Sequence, residues 1–444
     1  AMIQIFLVGL CLLPLATWAA DKPADSAAPN WPQWRGPLGT GVAPYGNPPA
    51  TWSETENIRW KVTIPGQGHA SPIVWGDRVF VLTAIQTDQT LPPQEESEEG
   101  KAAWLDPKMP GYAYKFDILA LDRQSGAVVW QRTARTELPH EGTHQDGSWA
   151  PASPVTDGER VYAHFGSRGL YCYDMEGELL WSTDLGDMTT RLTFGEGTSP
   201  ALHGDAIVIN WDHQGESFIV ALDKRTGKVQ WRVARDEQTS WGTPLIVEHA
   251  GRAQVIVNAT NRIVSYNLAD GAVIWECGGM TANAIPTPVS AGGIIYITSG
   301  FRGNALLAIR LQGAEGNITG TESVVWSYDR DTPYVPSPLL YNDMLYFLKS
   351  NDGILSGLDV KTGAKHFGPQ RLEGIEGIYA SPVGVGDRVY ITGRNGTTLV
   401  LKQGAQFEVL GGNALDDSFS ASPAIAGDEL FLRGEKVLYC IAQD

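Results

Sequence analysis

The chain has 444 residues, with 33 Lys+Arg against 50 Asp+Glu and a formal charge of −17. An apolar share of 43% excludes a disordered chain, four cysteines exclude a disulfide scaffold, and the acidic balance argues against a nucleic-acid or anionic-membrane binder. Fifty glycines and 27 prolines predict many turns and few long helices, and 15 tryptophans call for a structural role.

Ile3 to Leu15 is an uncharged apolar run broken by Pro14, too short for a spanning helix of about 20 residues. Thr17-Trp18-Ala19 follows, so residues 1–19 read as a secretory signal cleaved after Ala19. No Lys or Arg precedes the run, which fits a start further upstream. Cys11 lacks the Gly/Ala-Cys junction of a lipoprotein signal, so no lipid anchor is expected. Residues 20–56 read as an N-terminal extension, and no later run is long enough to span a bilayer. These features predict a soluble periplasmic or secreted protein.

From residue 57 to 444 the chain reads as one unit repeated eight times. A Ser/Thr-Pro pair recurs at Ser71-Pro72, Ser153-Pro154, Ser199-Pro200, Thr243-Pro244, Thr287-Pro288, Ser337-Pro338, Ser381-Pro382 and Ser422-Pro423. The prolines are spaced by 82, 46, 44, 44, 50, 44 and 41 residues; the first gap is one unit plus an insertion near Ile85–Lys115. Periods of about 40–50 residues indicate four-stranded units in a ring. Each unit continues with an apolar stretch, a turn such as Gly76-Asp77 or Gly386-Asp387, and a β-branched strand such as Val79-Phe80-Val81. A third strand then ends in Ala-Leu-Asp, followed by a turn and a Trp strand: Ala120-Leu121-Asp122 to Trp130, and Ala221-Leu222-Asp223 to Trp231. Gly357-Leu358-Asp359 to Phe367 is a looser copy. Even spacing with Gly/Asp turns is an all-β signal.

In the Asp-x-x-Thr-Gly turn the Asp accepts backbone N–H groups two residues on, and Gly126, Gly227, Gly271 and Gly363 suit a left-handed position. Trp130, Trp181, Trp231, Trp275 and Trp326 are expected to pack between units. The eighth unit ends at Cys440-Ile441-Ala442 without a Trp strand, while Asn57 to Val62 carries an orphan Trp60. Residues 57–64 are therefore expected to pair with Leu438–Ala442 and close the ring, which leaves few exposed sheet edges.

Ala-Leu-Asp-x-x-Thr-Gly-x-x-x-Trp resembles the repeat of the PQQ-like β-propellers over roughly residues 57–444, which implies an all-β, eight-bladed β-propeller. That family includes PQQ-dependent alcohol dehydrogenases and the outer-membrane assembly lipoprotein of the Bam machinery. Trp31-Pro32-Gln33-Trp34-Arg35-Gly36-Pro37 resembles the opening of many exported PQQ-like proteins. The motif encodes blade packing, so it speaks for fold and little for activity.

Strand parity places the Gly-Asp and Asp-x-x-Thr-Gly turns on one face, and the blade-to-blade loops with the second-to-third turns on the other. The irregular residues of that second face are the candidate ligand-binding set. Its loops carry His69, Trp149, Glu196, Trp241, Asn283, Tyr334, Tyr379 and Phe419, expected to rim the channel mouth. Its turns carry Arg168, Arg262, Arg302, Arg394 and Arg433, with Lys349 and His213. Convergence of at least three of these guanidinium groups on the channel would suit an anionic ligand; the alternative is solvated hairpin tips. Glu95-Glu96-Ser97-Glu98-Glu99 in the insertion reads as a solvated loop or a lid. His140 and His144 stand four apart, but Gly142 argues against the helix a metal pair would need, so no metal site is assigned. Cys172, Cys277 and Cys440 read as buried thiols.

Two functions follow from these residues and the resemblance. The first is a non-catalytic, monomeric binding or assembly platform in the cell envelope that takes a protein segment or glycan at the channel mouth. The alternative, implied by the resemblance, is a quinoprotein dehydrogenase oxidising an alcohol or sugar with PQQ and Ca²⁺. It would need a calcium set such as Glu196, Asn283 and Asp212, and the adjacent Cys-Cys pair of the large branch is missing. No catalytic residue is assigned.

Overall fold

The structure, a computed structural model, describes residues 29–90 and 107–443. The expected signal over 1–19, Cys11 and the acidic run Glu95–Glu99 lie outside these residues. Among them, all regular structure is β apart from two short 3₁₀ turns, Gly166–Arg168 and Arg191–Thr193.

Eight antiparallel sheets form eight blades. Blade one contains Ile73–Trp75, Arg78–Thr90, Tyr112–Asp122 and Val128–Glu137. Blades two to eight occupy residues 155–183, 201–234, 245–277, 289–328, 339–371, 383–414 and 424–441. Ile58–Thr63 is the fourth strand of the last blade, with Trp60 opposite Cys440 and Val62 opposite Leu438. Ala442 N–H adds a bond to Asn57 O at 3.0 Å. Ring closure by the N-terminal strand therefore occurs as the orphan Trp60 predicts.

The tryptophans pack between blades as expected, although Trp275, set against Ile295 and Ile309 of blade five, donates its indole N–H to Gln254 of its own blade at 3.1 Å. Trp231 Nε1 donates to Leu268 O of the next blade at 2.7 Å. Trp60, Trp130, Trp181 and Trp326 make the same bond, to Arg123, Met175, Lys224 and Val360. Each acceptor directly follows the turn's Asp or Asn. Asp223 Oδ1 holds that turn by accepting Thr226 N–H and the Thr226 hydroxyl, both at 2.9 Å. The core follows from this pattern as clusters between blades, such as the one joining Phe80 and Trp130 of blade one to Val161 and Tyr173 of blade two.

Blade five departs from the repeat. Its third strand ends in Ile309-Arg310 instead of Leu-Asp, so no Asp anchors a tight turn. The longer connection contributes Gly316–Asn317, which pairs in parallel with Trp275 and Glu276 as a fifth strand of blade four.

Candidate functional site

The N-terminal extension closes the channel. It lies on the face of the Gly-Asp turns, where Trp31 exchanges two backbone hydrogen bonds with Val74 of blade one. The Arg35 side chain is wholly buried and bonds carbonyls only: Pro382 O at 2.8 Å and Pro338 O at 2.9 Å, linking blades seven and six. Burial without a carboxylate lowers its pKa to about 9. Trp34 Nε1 donates to Thr287 Oγ1 of blade five at 3.0 Å. The indole belongs to the wall of two cavities, one of about 170 Å³ on the loop face and one of about 180 Å³ on the turn face. What would be a through-channel is thus a cup with Trp34 in its floor.

The repeated Ser/Thr-Pro pairs build the cup's hydroxyl belt. Ser71 N–H donates to Ser153 Oγ at 3.0 Å, Ser153 to Ser199 at 2.9 Å and Ser199 to Thr243 at 3.0 Å. Thr287, Ser337 and Ser381 continue to Ser337, Ser381 and Ser422 at 2.9, 2.9 and 2.8 Å. Two of the eight links are missing. One lies between Thr243 and Thr287, where Trp34 takes the acceptor; the other lies between Ser422 and Ser71, where the chain's ends meet. Seven of the eight residues line the cup, Ser71 being the exception.

Above the belt stand His69, Trp241 and Tyr379, and above these a rim cavity of about 210 Å³ adds His144, Asp146, Phe194 and Tyr334. Asp146 fixes one side: it accepts the Tyr379 hydroxyl at 3.0 Å and Arg394 Nη2 at 2.8 Å, and the Arg394 guanidinium lies 4.6 Å from the Tyr379 ring centre. Trp241 is held by its bond to Gly195 O at 2.7 Å. Tyr334 stacks on Phe301 with centroids 4.8 Å apart and accepts from Asn283 at 3.4 Å. Asn283 in turn accepts Arg191 Nη1 at 3.2 Å. Burial, reinforced by Lys108, Arg433 and Arg394, lowers the His69 pKa to about 4, so its ring is neutral at pH 7.

The structure separates the expected binding residues. His69, Trp241, Tyr334 and Tyr379 meet at the cup. Trp149 does not; it packs on Tyr114 at 4.7 Å beside the insertion hairpin and shares a small cavity with Arg168. Phe419 is buried in the hydrophobic seam 6.0 Å from Tyr439, and its neighbour Ser420 reaches the cup instead.

Nor do the five arginines form one cationic cluster. Arg168 is buried against Glu196 at 3.2 Å and His140 at 3.1 Å. Arg262 faces Glu276 at 3.3 Å. Arg302 is exposed over the Phe301 ring. Arg433 is only 1% exposed, on the strand face towards blade one, and none of its guanidinium nitrogens has a partner; burial lowers its pKa to about 10. Among the five, Arg394 alone bonds to a residue of the cup wall: carboxylates claim Arg168 and Arg262, the blade seam holds Arg433, and Arg302 lies exposed over Phe301.

The groups that could hold a metal or a calcium-bound cofactor are already engaged. Ligand atoms of His140, Glu141 and Glu196 lie within 4.8 Å of one another. However, His140 Nδ1 is engaged by Arg168, Glu196 by Ser167 and Arg168, and Glu141 by Thr190. A guanidinium among the donors opposes a cation. Of the calcium candidates, Asp212 is chelated by Arg235 at 2.7 and 3.0 Å, Glu196 holds Arg168, and Asn283 holds Arg191. These residues do not fit a calcium-assisted quinone site. The three described cysteines are free and buried.

Several cup residues escaped sequence reasoning. Trp34 stands in a Gly-rich segment whose close approaches were a usable signal. The belt's hydroxyls were visible as an unbroken Ser/Thr choice before eight prolines. Arg191 and Phe194 come from irregular loops and carried no signal, and Asp146, which stands beside the His140/His144 pair in sequence, carried none for its bonds to Tyr379 and Arg394.

Eight blades, five of them stitched to the next by a Trp, with a repeated Asp-anchored turn, define an eight-bladed β-propeller with PQQ-like repeats. The family described as outer membrane protein assembly factor BamB matches over residues 115–364 and 215–443, and the chain belongs to it. Among curated proteins none matches. BamB from Moraxella catarrhalis shares 15% identity and a TM-score of 0.54, covering 81% of this chain and 99% of that one. The quinohemoprotein alcohol dehydrogenase from Comamonas testosteroni shares 10% identity and a TM-score of 0.59, covering 95% and 82%. The computationally designed Ika8 protein shares 13% identity and a TM-score of 0.51, covering 74% and 92%. At these identities the likenesses show the fold alone. Among the described residues no helix is long and apolar enough to cross a membrane.

Proposed function

We propose that the protein is a non-catalytic binding platform of the cell envelope whose ligand ends in the loop-face cup. The observation that carries this reading is the floor: Trp34, tied to Thr287, closes the channel beneath a hydroxyl belt and an aromatic wall. A one-ended cup of this kind receives a chain end or side group. Asp146 is taken by Tyr379 and Arg394, and the belt oxygens accept backbone N–H groups, so these groups hold a shape and the belt keeps its hydroxyl hydrogens for a ligand. The family likeness to an assembly factor supports the platform role, and the signal-like N-terminus supports export.

Calorimetric titration of the purified protein with neutral and acidic oligosaccharides, extended peptides, and PQQ with Ca²⁺ tests the reading. Binding of a saccharide or peptide that falls at least tenfold in Trp241→Ala, with the melting temperature retained, supports it. A bound-quinone absorbance with dye reduction across alcohols overturns it in favour of a quinoprotein, as does the absence of binding by every ligand.

A further inference from the structure

The rim's cations differ in their partners. On one side Arg394 is neutralised by Asp146, while Lys108 Nζ donates to Gly147 O at 3.2 Å. On the other, Arg191 bonds only to the neutral Asn283, and Arg302 lies over Phe301 at 5.2 Å; among the described residues neither has a carboxylate within ion-pair distance. Asn283 and the Phe301–Tyr334 stack connect these guanidinium groups to the rim cavity. The backbone here is strained: Leu192, Thr193, Asn283 and Arg302 have φ of 52°, 58°, 54° and 54°. Non-glycine residues in the left-handed region cost free energy and concentrate where a site over-determines its loops.

The interior complements this rim. Each linked Ser/Thr oxygen of the belt accepts a neighbour's N–H, and its own hydroxyl hydrogen has no protein acceptor among the described residues. The belt therefore offers several O–H donors to a ligand rich in oxygen acceptors. Phe194, Trp241, Tyr334 and Tyr379 offer ring surfaces above it. A polypeptide end would bring N–H donors that need acceptors, and the wall's one carboxylate, Asp146, is already taken by Tyr379 and Arg394.

We propose that the cup's ligand is an acidic saccharide: a sugar ring packs on the aromatic wall, its oxygens accept from the hydroxyl belt, and its carboxylate reaches Arg191. This rests on the binding-platform reading and specifies its ligand. A charge-assisted guanidinium–carboxylate contact is stronger than a neutral one, so the acid should outbind an otherwise identical neutral sugar.

The test compares trigalacturonic acid with its methyl ester by calorimetry, with hexaglutamate as the peptide arm. The acid is expected to bind at least tenfold more tightly than the ester. Arg191→Gln should bring the acid down to the ester's affinity, while Arg262→Gln, whose guanidinium faces Glu276, should keep the difference. Equal affinities for acid and ester overturn the proposal, as does an acid preference that survives Arg191→Gln in a variant of unchanged melting temperature. Binding of hexaglutamate without the saccharides overturns the sugar assignment and leaves the platform reading standing. Failure of every ligand removes both.

Discussion

Trp34 and Thr287, 253 residues apart, are joined by an indole-to-hydroxyl hydrogen bond of 3.0 Å across the channel. The bond occupies the acceptor that the next link of the Ser/Thr belt would use. It thereby couples the N-terminal extension to the ring's interior.

Trp34→Ala should remove the floor of the cup. The ring is half-buried, so the loss should be about 2–4 kcal/mol, at or below the ~3–5 kcal/mol of a fully buried Trp→Ala change. Urea unfolding should show a lower midpoint at unchanged slope. An unaltered midpoint contradicts the role of Trp34 as a structural plug.

Gly271 lies against the indole of Trp231 with φ of +75°, and a Cβ there would stand 2.6 Å from Trp231 Cε3. Gly271→Ala therefore meets both a disfavoured backbone and a clash, for about 2–4 kcal/mol. Trp231→Ala should cost about 3–5 kcal/mol. The double variant should lose less than the sum, since removing the indole removes the clash. Full additivity would disprove the coupling.

Asp212 and Arg235 form a wholly buried bidentate pair, with Ser240 Oγ also donating to Asp212 at 2.6 Å. Asp212→Asn leaves the guanidinium without its counter-charge and should cost about 3–5 kcal/mol. Joint replacement by Asp212→Leu and Arg235→Met should recover most of that loss. A thermal melt of the two variants against wild type decides it, and equal melting of both Asp212 variants rejects the account.

His69 and His164 are each lowered to a pKa of about 4, chiefly by burial, against about 6.5 in an unfolded chain. Below pH ~6.5 the unfolded state takes up protons first, so stability falls as pH drops towards ~4 and these two residues add no further slope below that. The register places His164 where blades three and four carry the buried Asn210 and Asn258. His164→Asn should therefore keep the fold and flatten the decline between pH 6.5 and 4.5, read from denaturant midpoints. An unchanged slope would contradict a buried neutral imidazole.

The repeat itself was legible because blade packing is local and periodic. Asp122, Asp223 and Asp359 anchor their turns within three residues, and Trp60, Trp130, Trp181, Trp231 and Trp326 each meet the turn of the adjacent copy, so spacing alone reveals them. The orphan Trp60 strand disclosed ring closure for the same reason. The site obeys no such period. Trp34 and Thr287 meet only because the extension crosses the ring, and Asp146 meets Arg394 across 248 residues. Trp149 and Phe419 also stand a few residues before their Ser-Pro pairs, yet one is captured by Tyr114 and the other by the hydrophobic seam. The arginines were read by sign, but sign does not record which carboxylate stands opposite: Glu196 neutralises Arg168, while Arg191, which no pattern marked, is left without one. Sequence alone determined the fold, the blade count and the closing strand, because neighbouring copies repeat the same short-range contacts. Only the tertiary structure decided the cup, because its walls come from loops of different blades whose charges and rings are paired through space.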